Sequence, residues 1–120
     1  MQVDGAASIQ DARAAAKTVV SSSLVKSAVH GADPNWGRIL AALGRSGADV
    51  DEGSVALYIN DVCIMEGGVP IPFHKEAVVS LMRRDQVTFR IGLGLGTASA
   101  TAWGCDLTEA YVVINSAYTT

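Results

Sequence analysis

Charge and aromatic residues are scarce in this sequence, and the shortages exclude several functions before any motif is weighed. Only 18% of the 120 residues are charged and 6% are aromatic. The nine lysines and arginines are scattered and the net charge is −3, so no basic stripe exists to track a nucleic-acid backbone. No apolar run approaches the roughly 18 residues that a membrane-crossing helix needs. The opening residues show neither the basic region nor the apolar stretch of a secretory signal, and the expected location is the cytoplasm. Cysteine is limited to Cys63 and Cys105, far apart, with no C-x-x-C pair and no histidine at ligand spacing. They read as two buried thiols rather than a disulfide or a metal site.

What is present is a dense supply of small apolar residues. Hydrophobic residues make up 49% of the chain and the mean hydropathy is +0.28. The length suits a single domain, residues 1–120, with a real core. So little charge on so apolar a chain points to surface that a partner covers.

The local patterns give an element order of β-α-β-α-β-β-α-β-β-α. Residues 1–3 read as the tail of a first strand. Ser8, with Asp11 three positions on, caps a helix whose stripe is Ile9, Ala12, Ala15, Ala16 and Val19. Residues 24–29, rich in β-branched side chains and closed by Gly31, read as a strand. Asp33 as cap and Pro34 in the first turn predict a second helix, with Trp36, Ile39, Leu40 and Leu43 inward. Residues 55–59 and 62–66 flank Asn60-Asp61, a hairpin signal. A third helix is expected over about 73–84, with Phe73, Ala77, Val78, Leu81 and Met82 inward. Residues 86–95 and 97–103 both alternate and are expected to pair as a hairpin. A last helix is expected from Asp106 or Thr108, with Leu107, Ala110, Tyr111, Ile114 and Tyr118 as its stripe. Hairpins mixed with helices predict an α+β fold, a layered sandwich with a mixed sheet, rather than a doubly wound parallel one.

Several motifs shrink when weighed against ordinary structure. Gly92-Leu93-Gly94-Leu95-Gly96 lacks the third glycine of a dinucleotide fingerprint, since Thr97 stands there, and more strand follows it. Glycines at period two instead mark close backbone approach. His30 and His74 sit beside no serine, cysteine or carboxylate at catalytic spacing, and Gly-x-Ser-x-Gly is absent. Asn35 and Arg38, in the first turn of the second helix, suit an exposed face with Arg38 paired to a carboxylate. They equally suit a polar interface or anion site, and Gly37 beside them suggests a close neighbour. Asn115 and Thr120 stand near a C-terminus that Tyr111, Ile114 and Tyr118 could anchor.

Four stretches then carry a resemblance over essentially the whole chain: Leu24-Val25-Lys26-Ser27-Ala28; Gly31-x-Asp33-Pro34-Asn35-Trp36-Gly37-Arg38-Ile39; Ser99-Ala100-Thr101-Ala102-Trp103-Gly104-Cys105-Asp106-Leu107-Thr108; and Tyr111-Val112-x-Ile114-Asn115-x-x-Tyr118. Together they resemble the bifunctional ornithine acetyltransferase / N-acetylglutamate synthase family of arginine biosynthesis. The resemblance implies a precursor that cleaves itself before an internal threonine, giving α and β chains that assemble as a heterotetramer. It implies that the new N-terminal threonine takes acetyl from N-acetylornithine and passes it to glutamate, with acetyl-CoA a further substrate in some members and no bound cofactor. Such chemistry is covalent catalysis by an activated hydroxyl with an oxyanion hole.

This chain matches the later part of the β chain. It opens at Met1, not threonine, and none of Thr18, Thr88, Thr97, Thr101, Thr108, Thr119 or Thr120 lies in the family's cleavage context. No catalytic residue is therefore expected in these 120 residues. Asn115 and Thr120 match the family's substrate-binding positions. The expected partners are the α chain, the remainder of the β chain, N-acetylornithine and glutamate, with neither nucleic acid nor membrane involved. The expected surfaces for missing polypeptide are the Gly92/Gly94 sheet face and the edge beside residues 1–3, which favours oligomers. A different class of function, a non-catalytic binding or assembly module derived from the family, is the alternative.

Overall fold

The computed structural model describes residues 1–105. The expected last helix, with Asn115 and Thr120, lies outside the described residues. Six strands form one sheet: β1 (Gln2–Ala6), β2 (Ala56–Ile59), β3 (Val62–Glu66), β4 (Val69–Pro70), β5 (Phe89–Gly92) and β6 (Ala98–Thr101). Their spatial order is β4-β3-β2-β5-β1-β6. β1 runs parallel to β5, and the other neighbouring pairs are antiparallel. The helices are α1 (Ile9–Ser21), α2 (Ser23–His30), α3 (Trp36–Gly44) and α4 (Lys75–Met82). The architecture is α+β with a mixed sheet, as the patterning predicts.

The core follows from strand register. Met65, Leu57, Ile91, Val3 and Ala100 are successive cross-strand partners, so one row crosses five strands. The first four are essentially without solvent contact. α1 lies on β1 and β6 through Ala12, Ala15, Ala16 and Val19, all buried. Alanines let that helix come close to the sheet, and Ile9, expected inward, stays 39% exposed at the helix end. Ser8 caps α1 as predicted, its Oγ accepting from the Asp11 N–H at 3.1 Å. Asn60 (φ 44°) and Asp61 (φ 70°) make the expected tight turn between β2 and β3. In α4, Val78 and Met82 are buried, whereas Ala77 is exposed.

Three expectations about elements, caps and strand pairing are overturned. Residues 24–29 belong to helix α2, not a strand. Ser22 closes α1 and starts the next helix, its Oγ accepting from the Val25 N–H. Val25 and Ala28 then bury at helical spacing, which outweighs the β-branched content. The α3 cap is Asn35, not Asp33. The Asn35 N–H donates to the Asp33 carbonyl at 2.8 Å, a tight turn that keeps Pro34 outside the helix.

The third correction concerns the sheet. β5 and β6 do not pair as a hairpin, because β1 lies between them. The edge beside residues 1–3, expected to be uncovered, is therefore interior. Glycine makes this insertion possible. The Asp4 carbonyl accepts from Leu93 N–H, and the Gly5 carbonyl accepts from both Leu95 and Gly96. A methyl group on Gly5 would stand 2.8 Å from Gly94 N, and one on Gly96 would stand 2.6 Å from the Ala6 carbonyl oxygen. Gly5 also has φ +70°, which strains any side chain.

Gly5→Ala is accordingly expected to cost about 1–3 kcal/mol of stability or more in urea unfolding. Gly44→Ala, which meets nothing within 4 Å, is the control, expected to be neutral or stabilising by up to about 1 kcal/mol.

Candidate functional site

The start of α3 organises the most distinctive sequence motif. Asn35 Oδ1 accepts from the Arg38 N–H at 3.1 Å, and its amide nitrogen reaches Asp33 Oδ2 at 3.4 Å. The Arg38 guanidinium donates to the Leu24 carbonyl at 3.1 Å, so it ties α3 to α2 rather than pairing with a carboxylate. A Cβ at Gly37 would touch only Asn35 Oδ1, at 3.3 Å. The close neighbour that Gly37 suggests is thus its own cap, and no other element approaches it among the described residues. Trp36 is 39% exposed instead of buried: it is the first residue of α3, and the first residue that the helix buries is Ile39.

A polar cluster occupies the second face of the sheet. Arg90 lies 4.0 Å above the Tyr58 ring centre, and its Nη1 stands 4.0 Å from Asp4 Oδ2. Gln2 donates to Asp4 Oδ1 at 3.0 Å. Arg90 partners Tyr58 and Gln2 across its two neighbours, which brings three strands to one spot. These side chains are half-exposed, so the ion pair contributes little and the stacking more. Gly92 is half-exposed on this face and Gly94 is exposed.

A concavity of about 570 Å³ opens between α2, the end of α4 and the last described residues. Its apolar floor includes Val25, Val29, Met82 and Phe89, while Lys26, Arg83 and Arg84 give it a basic rim. The Met1 ammonium lies at its edge, donating to the Ala102 carbonyl at 3.0 Å, and burial lowers its pKa. Trp103 and Cys105 line the same groove, and the Trp103 side chain is 79% exposed. A second hollow, about 420 Å³, lies under α3 between Leu40, Val50 and Met65.

The remaining candidates land as follows. His74 caps α4, its Nδ1 accepting from the Ala77 N–H at 3.1 Å. His30 ends α2 and lines the groove. The cysteines are not buried: Cys63 is half-buried with Sγ 3.3 Å from the Met65 carbonyl, and Cys105 is exposed. No cluster of three metal-ligating side chains occurs among the described residues, and none of their helices is long and apolar enough to cross a membrane. Sequence reasoning did not single out Lys26, Arg83 and Arg84 as neighbours. Two come from a turn after α4 and one from α2, and no spacing rule links them.

Comparison with known proteins identifies the lineage. The sequence model of the ArgJ family matches residues 1–120. The arginine biosynthesis bifunctional protein ArgJ of Prochlorococcus marinus is 49% identical over all of this chain, which spans 31% of that protein. ArgJ of Symbiobacterium thermophilum is 50% identical, and the chain spans 30% of it. The crystal structure of ArgJ from Bacillus halodurans superposes with a TM-score of 0.93 at 40% identity, covering 98% of this chain and 55% of that one. The chain belongs to the ArgJ family and spans about 30% of the length of the relatives it matches.

Replacing Asn35 by Ala removes the α3 cap, with an expected loss of about 1 kcal/mol measured by thermal or chemical unfolding. Asn35→Asp, which keeps an acceptor at the same place, is expected to retain most of that stability.

Proposed function

We propose that this chain is the C-terminal portion of the β chain of a glutamate N-acetyltransferase, folded as one domain and working in the cytoplasm. The observation that carries the reading is the match of the whole chain to about 30% of proteins named as the bifunctional ArgJ. In that reading a threonine on polypeptide outside these 120 residues is the nucleophile. Its hydroxyl attacks the acetyl carbonyl of N-acetylornithine, the tetrahedral intermediate expels ornithine's amine with a proton, and a threonyl acetate ester remains. The α-amine of glutamate then attacks the ester, releasing N-acetylglutamate and restoring the hydroxyl.

Asn115 and Thr120 supply part of the amino-acid site. An amide and a hydroxyl suit the ammonium and carboxylate ends of glutamate and ornithine, which a small number of placed polar groups can orient. The partners are the α chain and the rest of the β chain, assembled as a heterotetramer. Free acetyl-CoA, when accepted, enters as a substrate rather than as a bound cofactor.

Asn115→Ala in the assembled enzyme is expected to raise KM for glutamate and N-acetylornithine about tenfold or more, the scale of one lost hydrogen bond to a charged group. An unchanged KM removes the binding role. The 120-residue chain alone is expected to show no acetyl transfer from N-acetylornithine to glutamate, with activity appearing when the remaining segments are co-assembled. A chain that folds fully but shows no affinity for those segments favours a separate binding module instead.

A further inference from the structure

The hollow under α3 is apolar and ready-formed, and the acyl-transfer chemistry leaves it without a role. Its volume is about 420 Å³. Leu43, Val55 and Met65 make a buried floor, while Leu40 and Val50 stand half-exposed at its sides. Local hydrogen bonds hold these walls in place. Ser46 Oγ donates to the Leu43 carbonyl at 2.6 Å and accepts from the Ala48 N–H at 3.2 Å, which fixes the segment leaving α3. At the β3–β4 turn the Gly68 N–H donates to the Val55 carbonyl at 2.9 Å. Glycine is needed there, because its φ is +73° and a Cβ would collide with the Glu52 carbonyl.

α3 extends this apolar surface outward. Trp36, Leu40 and Gly44 recur every fourth residue and so share one face of the helix, and the indole at its start is 39% exposed. Nothing lies within 4 Å of where a Cβ on Gly44 would stand, so the hollow is open on that side. Its surroundings are acidic. Residues 40–68 hold the carboxylates Asp49, Asp51, Glu52, Asp61 and Glu66 against a single cation, Arg45. Glu52 lines the hollow, Asp49 and Asp51 are exposed on either side of Val50, and Arg45 Nη2 stands 3.5 Å from Ser22 Oγ of the neighbouring helix. An exposed tryptophan beside an apolar hollow with a charged rim has the make-up of a protein-interface anchor. A second copy in an isologous contact would set carboxylate against carboxylate. The relatives, of whose length this chain spans about 30%, carry ample further polypeptide to supply the opposite charge.

We propose that the hollow and Trp36 receive a segment of the remaining polypeptide of the enzyme, one that presents aliphatic side chains to the hollow and a lysine or arginine to Glu52. Burial of apolar surface drives the contact, and the charge pair at the rim sets its register. The proposal rests on the reading of this chain as part of a larger acetyltransferase, and it names the surface by which the rest of that enzyme is held. It also gives the Asp33-Pro34-Asn35-Trp36-Gly37-Arg38 motif a task, since the Asn35 cap fixes where the helix starts and so where the indole stands.

The test compares the 120-residue chain alone with the same chain in the assembled enzyme, by hydrogen–deuterium exchange and by the Kd of assembly. Amides of residues 44–52 are expected to exchange about tenfold more slowly, or slower still, once the enzyme is assembled. Gly44→Phe fills the hollow from a position free of neighbours and is expected to raise the Kd about tenfold or more, with the circular dichroism of the chain unchanged. Trp36→Ala is expected to weaken assembly to a similar degree. Glu52→Gln is expected to weaken it at low salt and to flatten its salt dependence. Equal exchange of residues 44–52 in the free and assembled chain overturns the proposal, as does an unchanged Kd for Gly44→Phe. Protection of residues 44–52 that rises with the concentration of the chain alone also overturns it and assigns the hollow to a second copy. These results are read with an unmodified chain that assembles and gains acetyl transfer, so the acetyltransferase reading survives them. Failure of the unmodified chain to assemble overturns both. Should Gly44→Phe fail to fold, exchange in the unmodified chain decides the matter.

Discussion

Insertion of β1 between β5 and β6 is the constraint on which the remainder of the structure depends. Three backbone hydrogen bonds join Asp4 and Gly5 to residues 93–96, and glycine removes the side chains that would hold these segments apart. Those bonds fix the register of Val3 against Ile91 and of Val3 against Ala100. The register in turn completes the apolar row on which α1 rests. Because the contacts at Gly5 and Gly96 are with backbone atoms, relief of an added methyl group would have to break the hydrogen bonds themselves. A five-residue run that superficially suggests nucleotide binding is thus explained by sheet assembly.

Features decided within a few residues were legible in the sequence. The Ser8 cap and the Asn60-Asp61 turn depend on neighbours close along the chain, where spacing carries the information. The failures have a common origin. Residues 24–29 contain enough β-branched character for a strand, but Ser22 can serve two helices, ending one and capping the next. Asp33 and Asn35 are both competent caps. The choice between them fell to the turn in which Asn35 N–H meets the Asp33 carbonyl. The hairpin expected from residues 86–103 holds two shorter strands, β5 and β6, and gave them the wrong partner, because alternation says which face a residue takes and nothing about which strand lies beside it.

The candidate site divides along the same line. Family membership was readable from contiguous motifs, and Asn115 and Thr120 came with it as positions rather than as geometry. The groove was not readable, since its floor combines α2, α4 and β5 and its basic rim joins Lys26 to the distant Arg83 and Arg84. The Arg90–Tyr58–Asp4 cluster was half legible. Alternation puts Thr88 and Arg90 on one face, but only the register with β2 and β1 brings Tyr58 and Asp4 to the guanidinium.

These surfaces make physical sense in a chain that spans about 30% of its relatives' length. A self-sufficient domain of this size gains most by burying its largest apolar side chains, whereas Leu24, Trp36 and Trp103 remain substantially exposed here. The core mixes alanine and valine with larger side chains such as Leu43, Leu57, Ile64, Met65 and Phe89, and the alanines let α1 and the sheet approach closely. Two tryptophans exposed outside a mainly aliphatic core leave apolar surface of the kind a further contact covers. The buried aliphatic row fixes the frame, and the tryptophans are left to meet what the frame supports. In the acyl transfer proposed above that division would be useful, because a rigid frame can hold substrate-orienting groups in place while a separate segment carries the reactive hydroxyl.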